Sequence, residues 1–276
     1  MKHLTIMLLL TIQLFAQDFI PFSEKMTPEW QKKIKAAGVI NEREYVVEKE
    51  LEPNSFNYYV ASVYDANGKL QSVSQKLRID DHPGDYTYKW NSEGKLAEIS
   101  YSWKSNDGSK VEHKYEFSYD AGKLSYIALY DVATGGSGAM KQWNYEYSNK
   151  GALDRIVAKV FSHSESGEFS VMGTYEFDGK GRLSTYNSES SKITYSYNKD
   201  GKLDKKVFEA SEIKIIDKYD YDKAGNLVKV SNTGDAATIV DDIKYNTSGL
   251  PILKKSLIKV YDLDDEIVEI HYSYTK

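Results

Sequence analysis

One short pattern recurs along most of the 276-residue chain, and no other feature of the sequence limits the fold as strongly. Its consensus is an aromatic residue, Asp or Asn, two variable residues, Gly, a residue that is often Lys, and Leu; Tyr64 to Leu70 is the first copy, and single positions differ in some of the others. The copies follow one another at about 20–30 residues, and a period of that size marks a repeat architecture. The glycines of the eight copies are Gly68, Gly94, Gly122, Gly151, Gly181, Gly201, Gly225 and Gly249.

The pattern has the composition of a β-hairpin tip. Asp or Asn followed three residues later by Gly suits a type I turn that ends in a left-handed residue, and Gly adopts that conformation without steric cost. The eight glycines are therefore predicted to be structural turns between antiparallel strands. In most copies an apolar residue follows the Leu by three positions, as Val73 follows Leu70. This spacing breaks strict alternation and predicts a bulge just after the turn or a Leu that plugs the hairpin end.

The residues around the tips alternate between apolar and polar, as half-buried strands do. Tyr86, Tyr88 and Trp90, for example, are separated by single polar residues. We therefore predict an all-β fold, an antiparallel up-and-down meander of about 18 strands built from repeated hairpins, which begins at 42–51 and ends at 266–274. One face of this sheet is apolar and must be hidden from water. The sheet is therefore expected to curl or flatten into a barrel-like shell.

One short N-terminal helix is predicted before the repeats, over residues 28–37. Thr27 can cap its first turn, Trp30 and Ile34 fall on one apolar stripe, and Gly38 ends it. A helix this short is marginal alone. Because a circular barrel of about 16 or more strands encloses an open lumen, the helix is expected to plug or cap the sheet.

The start of the chain has the layout of a secretory signal peptide. Lys2 and His3 precede an apolar run from Leu4 to Phe15, and Ala16 offers a small residue for cleavage. The run is shorter than the about 20 apolar residues of a spanning helix; the alternative is a buried N-terminal helix or strand. We therefore predict a secreted or periplasmic protein of the cell envelope, without a helical membrane span. The predicted divisions are a signal peptide (1–16), an N-terminal segment with the short helix (17–41) and a single repeat domain (42–276).

The composition excludes several classes of function. The chain has no Cys, which rules out disulfides, thiol catalysis and cysteine-ligated zinc. Its 36 Lys and Arg against 41 Asp and Glu give a formal net charge of -5. A sequence-independent grip on nucleic acid needs clustered positive charge, so nucleic acid is not an expected partner.

Residues that could bind a ligand or do chemistry occur singly. Residues 80–82, Asp-Asp-His, are interpreted as a solvated turn, and His163 with the nearby glutamates matches no metal-site spacing. Tyr130, at a strand end beside the flexible 132–139 connector, is the predicted surface binding residue. We assign no catalytic, cofactor-binding or metal-binding residue, and no cofactor.

The repeated tips resemble the YD-type repeats of RHS-like secreted bacterial proteins. They are also similar to the repeats of short secreted β-meander proteins of the Bacteroidetes, of which one family of unknown function is described as having a porin-like fold. The matching units are those that contain the eight glycines, and they cover residues 58 to about 250. The resemblance implies an extracytoplasmic, non-catalytic protein and supplies no site residues.

Three functions are compatible with the sequence. The first is a secreted non-catalytic protein that binds or scaffolds a protein, peptide or glycan through variable loops at one sheet edge, such as 132–139 and 162–168. The second is a hydrolase of envelope polysaccharide or peptide that uses paired carboxylates. The third is an outer-membrane β-barrel.

Overall fold

The computed structural model of the chain describes residues 20–47, 56–77, 84–105, 107–132, 138–161, 168–234, 237–260 and 264–276. The predicted signal peptide lies outside the described residues. Besides a 3-10 turn at Ser23–Met26 and helix α1 at Pro28–Ala37, the regular elements are β-strands. They are β1 (Asn41–Val47), β2 (Phe56–Tyr64), β3 (Leu70–Leu77), β4 (Gly84–Trp90), β5 (Leu96–Lys104), β6 (Lys110–Asp120), β7 (Lys123–Asp131), β8 (Ala139–Tyr147), β9 (Leu153–Phe161), β10 (Phe169–Phe177), β11 (Leu183–Ser188), β12 (Lys192–Tyr197), β13 (Leu203–Ala210), β14 (Ile213–Tyr221), β15 (Leu227–Gly234), β16 (Ala237–Tyr245), β17 (Pro251–Val260) and β18 (Glu266–Thr275).

The 18 strands form one closed antiparallel sheet. Each strand pairs with the next along the chain, and β1 pairs with both β2 and β18. The closing pair runs from Asn41 opposite Thr275 to Val46 opposite Ile270. The predicted up-and-down meander with one short helix is therefore confirmed, and it closes into a barrel.

The repeated tips all lie at one edge of the barrel, which we call the turn edge. At Gly68 the backbone is left-handed (φ 78°), and its N–H donates to the Asp65 carbonyl at 2.9 Å. The Asp65 carboxylate accepts from the backbone N–H groups of Asn67 and Lys69, which explains why Asp or Asn stands at this position of the pattern. The same left-handed backbone occurs at the other seven pattern glycines, Gly94, Gly122, Gly151, Gly181, Gly201, Gly225 and Gly249.

The copy around Gly122 is one residue shorter and makes a different turn. Ala121 (φ 45°) and Gly122 (φ 81°) are both left-handed, and Asp120 pairs directly with Lys123. Two left-handed central residues are the requirement of a type I′ hairpin turn. The shorter spacing is therefore accommodated without loss of the hairpin.

A bulge accompanies each turn. In the first repeat Val63 lies opposite Ser72, whereas Tyr64 lies opposite Leu70, so one residue of β3 is left between them. Equivalent register shifts occur at the repeat aromatic residues Trp90, Tyr119, Tyr147, Phe177, Tyr197, Tyr221 and Tyr245. The predicted bulge is confirmed, and it explains the three-residue step from Leu to the next inward apolar residue.

Helix α1 has both caps that its sequence predicts. The Trp30 N–H donates to the Thr27 hydroxyl at 3.2 Å, and the left-handed Gly38 (φ 64°) donates to the Ile34 and Lys35 carbonyls. Ile34 is fully buried. The helix lies across the turn edge, where a Cβ atom on Gly68 would come within 2.3 Å of the Gln31 carbonyl oxygen. Only glycine permits this close approach.

The inner face of β2 to β10 forms the hydrophobic core together with the N-terminal residues. Ile34 and the strand residues Leu70, Ile99 and Ile127 are fully buried, and Trp143 is nearly so. Phe22 packs edge-on against the inward Tyr86, with ring centroids 5.3 Å apart. The N-terminal segment thus packs against the apolar inner face of these strands.

Candidate functional site

Three regions could carry function: the turn edge, the lumen and one aromatic patch on the outer wall. At the turn edge, successive repeats touch each other through the same two contacts, and we call each such meeting a repeat joint. The first contact is a hydrogen bond from the aromatic residue of one repeat to the backbone of the repeat before it. The acceptor is the carbonyl at the start of the strand after that earlier turn; the Tyr221 hydroxyl, for example, donates to Leu203 O at 2.9 Å. The other donors are Trp90, Tyr119, Tyr147, Tyr197, Tyr245 and Tyr274.

The second contact comes from the basic residue that follows the turn glycine. Its cation lies over the aromatic ring of the next repeat at 4.3–5.3 Å from the centroid, in the pairs Lys69–Trp90, Lys95–Tyr119, Lys123–Tyr147, Arg182–Tyr197 and Lys202–Tyr221. Three of these lysines also donate to the carbonyl of the next turn glycine; Lys202, for example, reaches Gly225 O at 3.0 Å. The Lys of the pattern therefore links neighbouring repeats.

The first part of the lumen holds a buried ion cluster supplied by the N-terminal segment. Lys25 is 5% exposed and donates to Glu42 at 2.9 Å, to Glu44, and to the Ser62 hydroxyl at 3.1 Å. The Tyr64 hydroxyl donates to the same Glu42 oxygen at 2.5 Å. Residues 20–26, which we call the N-terminal strap, are therefore held inside the barrel by charge as well as by packing.

The strap cluster shifts the titration of its members. Burial raises the pKa of Glu42 above its ordinary value, although Lys25 opposes this. Burial alone would lower the pKa of Lys25, but the neighbouring Glu44 and Glu42 carboxylates raise it well above its ordinary value. Burial and the Glu42 charge also raise the pKa of Tyr64 far above its ordinary value. The lysine is thus charged and the tyrosine neutral over the physiological pH range.

A second polar cluster lies on the inner face of β13 to β17. Lys206 pairs with Asp217 at 2.6 Å with both side chains about 5% exposed or less, and Asn232 donates to the same aspartate. Lys254 pairs with Asp241 at 2.8 Å, and the second carboxylate oxygen of Asp241 is buried without a hydrogen-bond partner. Two lysines against two aspartates make the cluster neutral. Each aspartate is paired with a lysine, so the cluster has no net charge to offer a charged ligand.

Tyr130, the predicted binding residue, lies on the outer wall at the end of β7. The inward Leu129 precedes it, and Lys114 lies over its ring at 5.5 Å. Partial burial raises the pKa of the Tyr130 hydroxyl, and the nearby Glu116 carboxylate raises it further. Tyr126 lies on the same outer face of β7. Two half-buried tyrosines beside charged side chains form an aromatic platform on the outer wall.

The remaining sequence candidates do not assemble. His113 is half-buried edge-on against Trp103 at 4.9 Å, and burial lowers its pKa. His271 stacks on Tyr45 at 5.7 Å. Residues 80–82 and His163 lie outside the described residues. Within the described segments, no group of three His, Asp or Glu side chains could hold a metal ion.

Sequence reasoning missed the two luminal clusters. Asp217 stands two residues before Tyr219 and four before Tyr221, so it shares the inward phase of these aromatics. A polar residue in that phase was the available signal for a buried ion pair. Nothing in the local sequence marks Lys25, since its partners are 17 and 19 residues away.

Neither a protein-family model nor a curated protein matches the sequence. The similarity of the tips to YD-type repeats therefore stays a prediction. Among solved structures, the chain is similar to a porin-like protein from Bacteroides uniformis (TM-score 0.38, 9% identity, 86% of this chain and 98% of that chain). It is also similar to a porin-like protein from Bacteroides vulgatus (TM-score 0.31, 12% identity, 86% and 98%) and to the TcdB2-TccC3-TEV chain (TM-score 0.37, 13% identity, 80% and 14%).

Proposed function

We propose that the protein is a non-catalytic binding or scaffold protein of the cell envelope, secreted or periplasmic, whose barrel wall faces water. The observation that carries this proposal is the charge on the outer wall. Exposed ion pairs bridge neighbouring strands at 2.5–3.3 Å in the pairs Lys89–Glu98, Arg155–Glu146, Lys214–Glu209 and Lys255–Glu269. These pairs lie on β4–β5, β8–β9, β13–β14 and β17–β18, and so are spread around the circumference.

A wall embedded in lipid requires the opposite arrangement, with apolar side chains outward. Each Lys or Arg on a lipid-facing wall costs about 2–4 kcal/mol at the bilayer midplane. The charge pattern therefore favours the secreted alternative over the outer-membrane alternative. Among the described residues, no helix combines the length and apolarity that crossing a bilayer demands.

The hydrolase alternative needs two carboxylates that a substrate can reach. Glu42 and Glu44 share one partner, but Lys25 holds both, and the Glu42 side chain is 1% exposed. Asp217 and Asp241 are buried and paired with lysines. A substrate would have to break these ion pairs, so the geometry favours binding over hydrolysis.

Fractionation of cells that express the full chain tests the water-facing wall. We expect osmotic shock or the culture medium to release the protein without detergent. Recovery only in detergent extracts of the outer membrane would overturn the proposal.

The binding role is assigned to the platform of Tyr126 and Tyr130. A depression of about 270 Å³ is lined in part by Lys114, whose ammonium group also lies over the Tyr130 ring. Stacking faces next to charged and hydroxyl groups suit a glycan or a peptide. A glycan array and a peptide array probed with the full chain should give signals that Tyr130→Ala abolishes. Tyr45→Ala, on the outer face of β1, is the matched control, and equal signals from both variants would place binding elsewhere.

The unequal connectors at 132–139 and 162–168, which fall largely outside the described residues, remain the second part of this proposal. Shortening each connector should weaken the same array signals. Unchanged signals would remove the connectors from the binding surface.

A further inference from the structure

We propose that the turn edge contains a binding site for a lysine side chain presented by a helix, and that Lys33 of α1 occupies it. The site arises where the repeat pattern omits its own basic residue. At seven of the eight copies a residue stands between the turn glycine and Leu, and it is basic in five of them. The two exceptions are Ala152 and Asn226.

The two exceptions have different consequences. After Ala152 the next repeat aromatic is Phe177, which has no hydroxyl, so neither contact of an ordinary repeat joint can form there. After Asn226 the next aromatic is Tyr245, whose hydroxyl donates to Leu227 O at 2.5 Å. This joint therefore keeps the hydroxyl contact and lacks only a cation of its own.

Lys33 supplies that cation. Its Nζ lies 6.0 Å from the Tyr245 ring centroid and donates to Gly249 O at 3.1 Å. These are the two contacts that Lys202 makes one joint earlier, where it lies 5.0 Å from the Tyr221 centroid and donates to Gly225 O at 3.0 Å. An ammonium group from the helix thus takes the place of the repeat lysine.

Asn226 favours a lysine that comes from the helix over one that comes from the repeat itself. Its side-chain oxygen accepts from Lys33 Nζ at 3.1 Å, a third contact that a repeat lysine could not offer. A lysine at position 226 would instead reach for the same glycine carbonyl and the same ring, and would place a second positive charge beside Lys33. The omission of the basic residue therefore opens the site, and the asparagine completes it.

Residues on either side of Lys33 in the helix meet the first repeat. Lys35 donates to Asn67 at 3.4 Å, and Gly68 allows the close approach of Gln31. The first turn and the last two turns are thus joined by one helix, across the seam where β18 pairs with β1. The contacts of Lys33 therefore determine where α1 lies on the turn edge.

Amide hydrogen exchange of α1 in the full chain tests this site, with the exchange of the strands as an internal reference. We expect Lys33→Ala to raise the opening constant of α1 about tenfold or more, since a hydrogen bond to a charged group is lost. Lys32→Ala, an exposed neighbour on the same helix, is the matched control. Lys33→Arg should retain protection, because Arg182 makes the same ring contact with Tyr197 at 4.3 Å.

Asn226→Lys provides the decisive comparison. In the native background it should expel Lys33 and raise the opening constant of α1 about as much as Lys33→Ala does. In the Lys33→Ala background it should have no further effect on α1 and should stabilise the strands at the repeat joint between position 226 and Tyr245. The proposal is overturned if Lys33→Ala behaves like Lys32→Ala, or if Asn226→Lys has the same effect on α1 in both backgrounds.

Discussion

Replacing Lys25 with Met tests whether charge holds the strap inside the barrel. The substitution keeps an unbranched apolar stem of similar length and removes the ammonium group. Glu42, whose side chain is 1% exposed, and Glu44, which is 15% exposed, then lose their positive partner. Removing one member of a buried ion pair typically costs about 3–5 kcal/mol, because a charge is left buried and uncompensated.

The loss depends on pH in a defined direction. Burial already raises the pKa of Glu42, and removing Lys25 raises it further. A carboxyl whose folded-state pKa lies above its unfolded-state value favours the folded state at low pH, and that contribution is lost as pH rises through the folded-state pKa. The variant should therefore lose about 3–5 kcal/mol at pH 8 and clearly less near pH 4.5, where Glu42 can fold protonated.

Urea unfolding followed by tryptophan fluorescence at both pH values measures this difference. Lys89→Met is the matched control, because Lys89 makes a 2.6 Å pair with Glu98 on the outer wall while 67% exposed. Exposed pairs are worth about 0–1 kcal/mol. Adding Glu42→Gln to Lys25→Met should recover most of the loss. A loss below about 1 kcal/mol at pH 8, or an equal loss at both pH values, would refute the electrostatic account.

Three further variants probe the fold. Gly201→Ala places a side chain on a backbone with φ 80° and should lower the unfolding free energy by about 1–2 kcal/mol. Gly179→Ala in the preceding turn, where a Cβ atom meets no neighbour, should change it by less than about 0.5 kcal/mol. The thermal midpoints of the two variants give the comparison. Tyr221→Phe removes one repeat-joint hydrogen bond and should lower the unfolding free energy by about 1 kcal/mol in urea titrations. Lys206→Met leaves the Asp217 carboxylate buried without a cation and should cost about 3–5 kcal/mol by the same titration, and a loss near zero would contradict the buried pair.

The strand count and the turns could be predicted because their causes are local. Asp65 and Gly68 determine one turn within five residues, and the alternation beside it determines which face is buried. The bulge could also be predicted, because the step from Leu70 to Val73 lies within one strand. Because the same local pattern recurs along the chain, the same hairpin could be predicted at each copy.

Closure and the contacts of the cap could not be predicted, because they join distant parts of the chain. No turn connects β18 to β1, so the pairing of Asn41 with Thr275 has no local marker. Lys33 reaches a carbonyl 216 residues away, and its neighbours in the helix give no sign of that partner. Tyr126 and Tyr130 share a face by alternation along one strand, but the strand register is needed before Lys114 of β6 can be placed over the Tyr130 ring.

The pairing of β1 with both β2 and β18 also limits how other molecules can approach. Every strand of the described sheet has a hydrogen-bonded neighbour on each side, so the backbone presents no open row of amide and carbonyl groups. A partner therefore cannot extend the described sheet by adding a strand of its own, and copies cannot associate edge to edge through an unpaired strand. Recognition on the barrel wall therefore depends on the side chains that face outward from the paired strands.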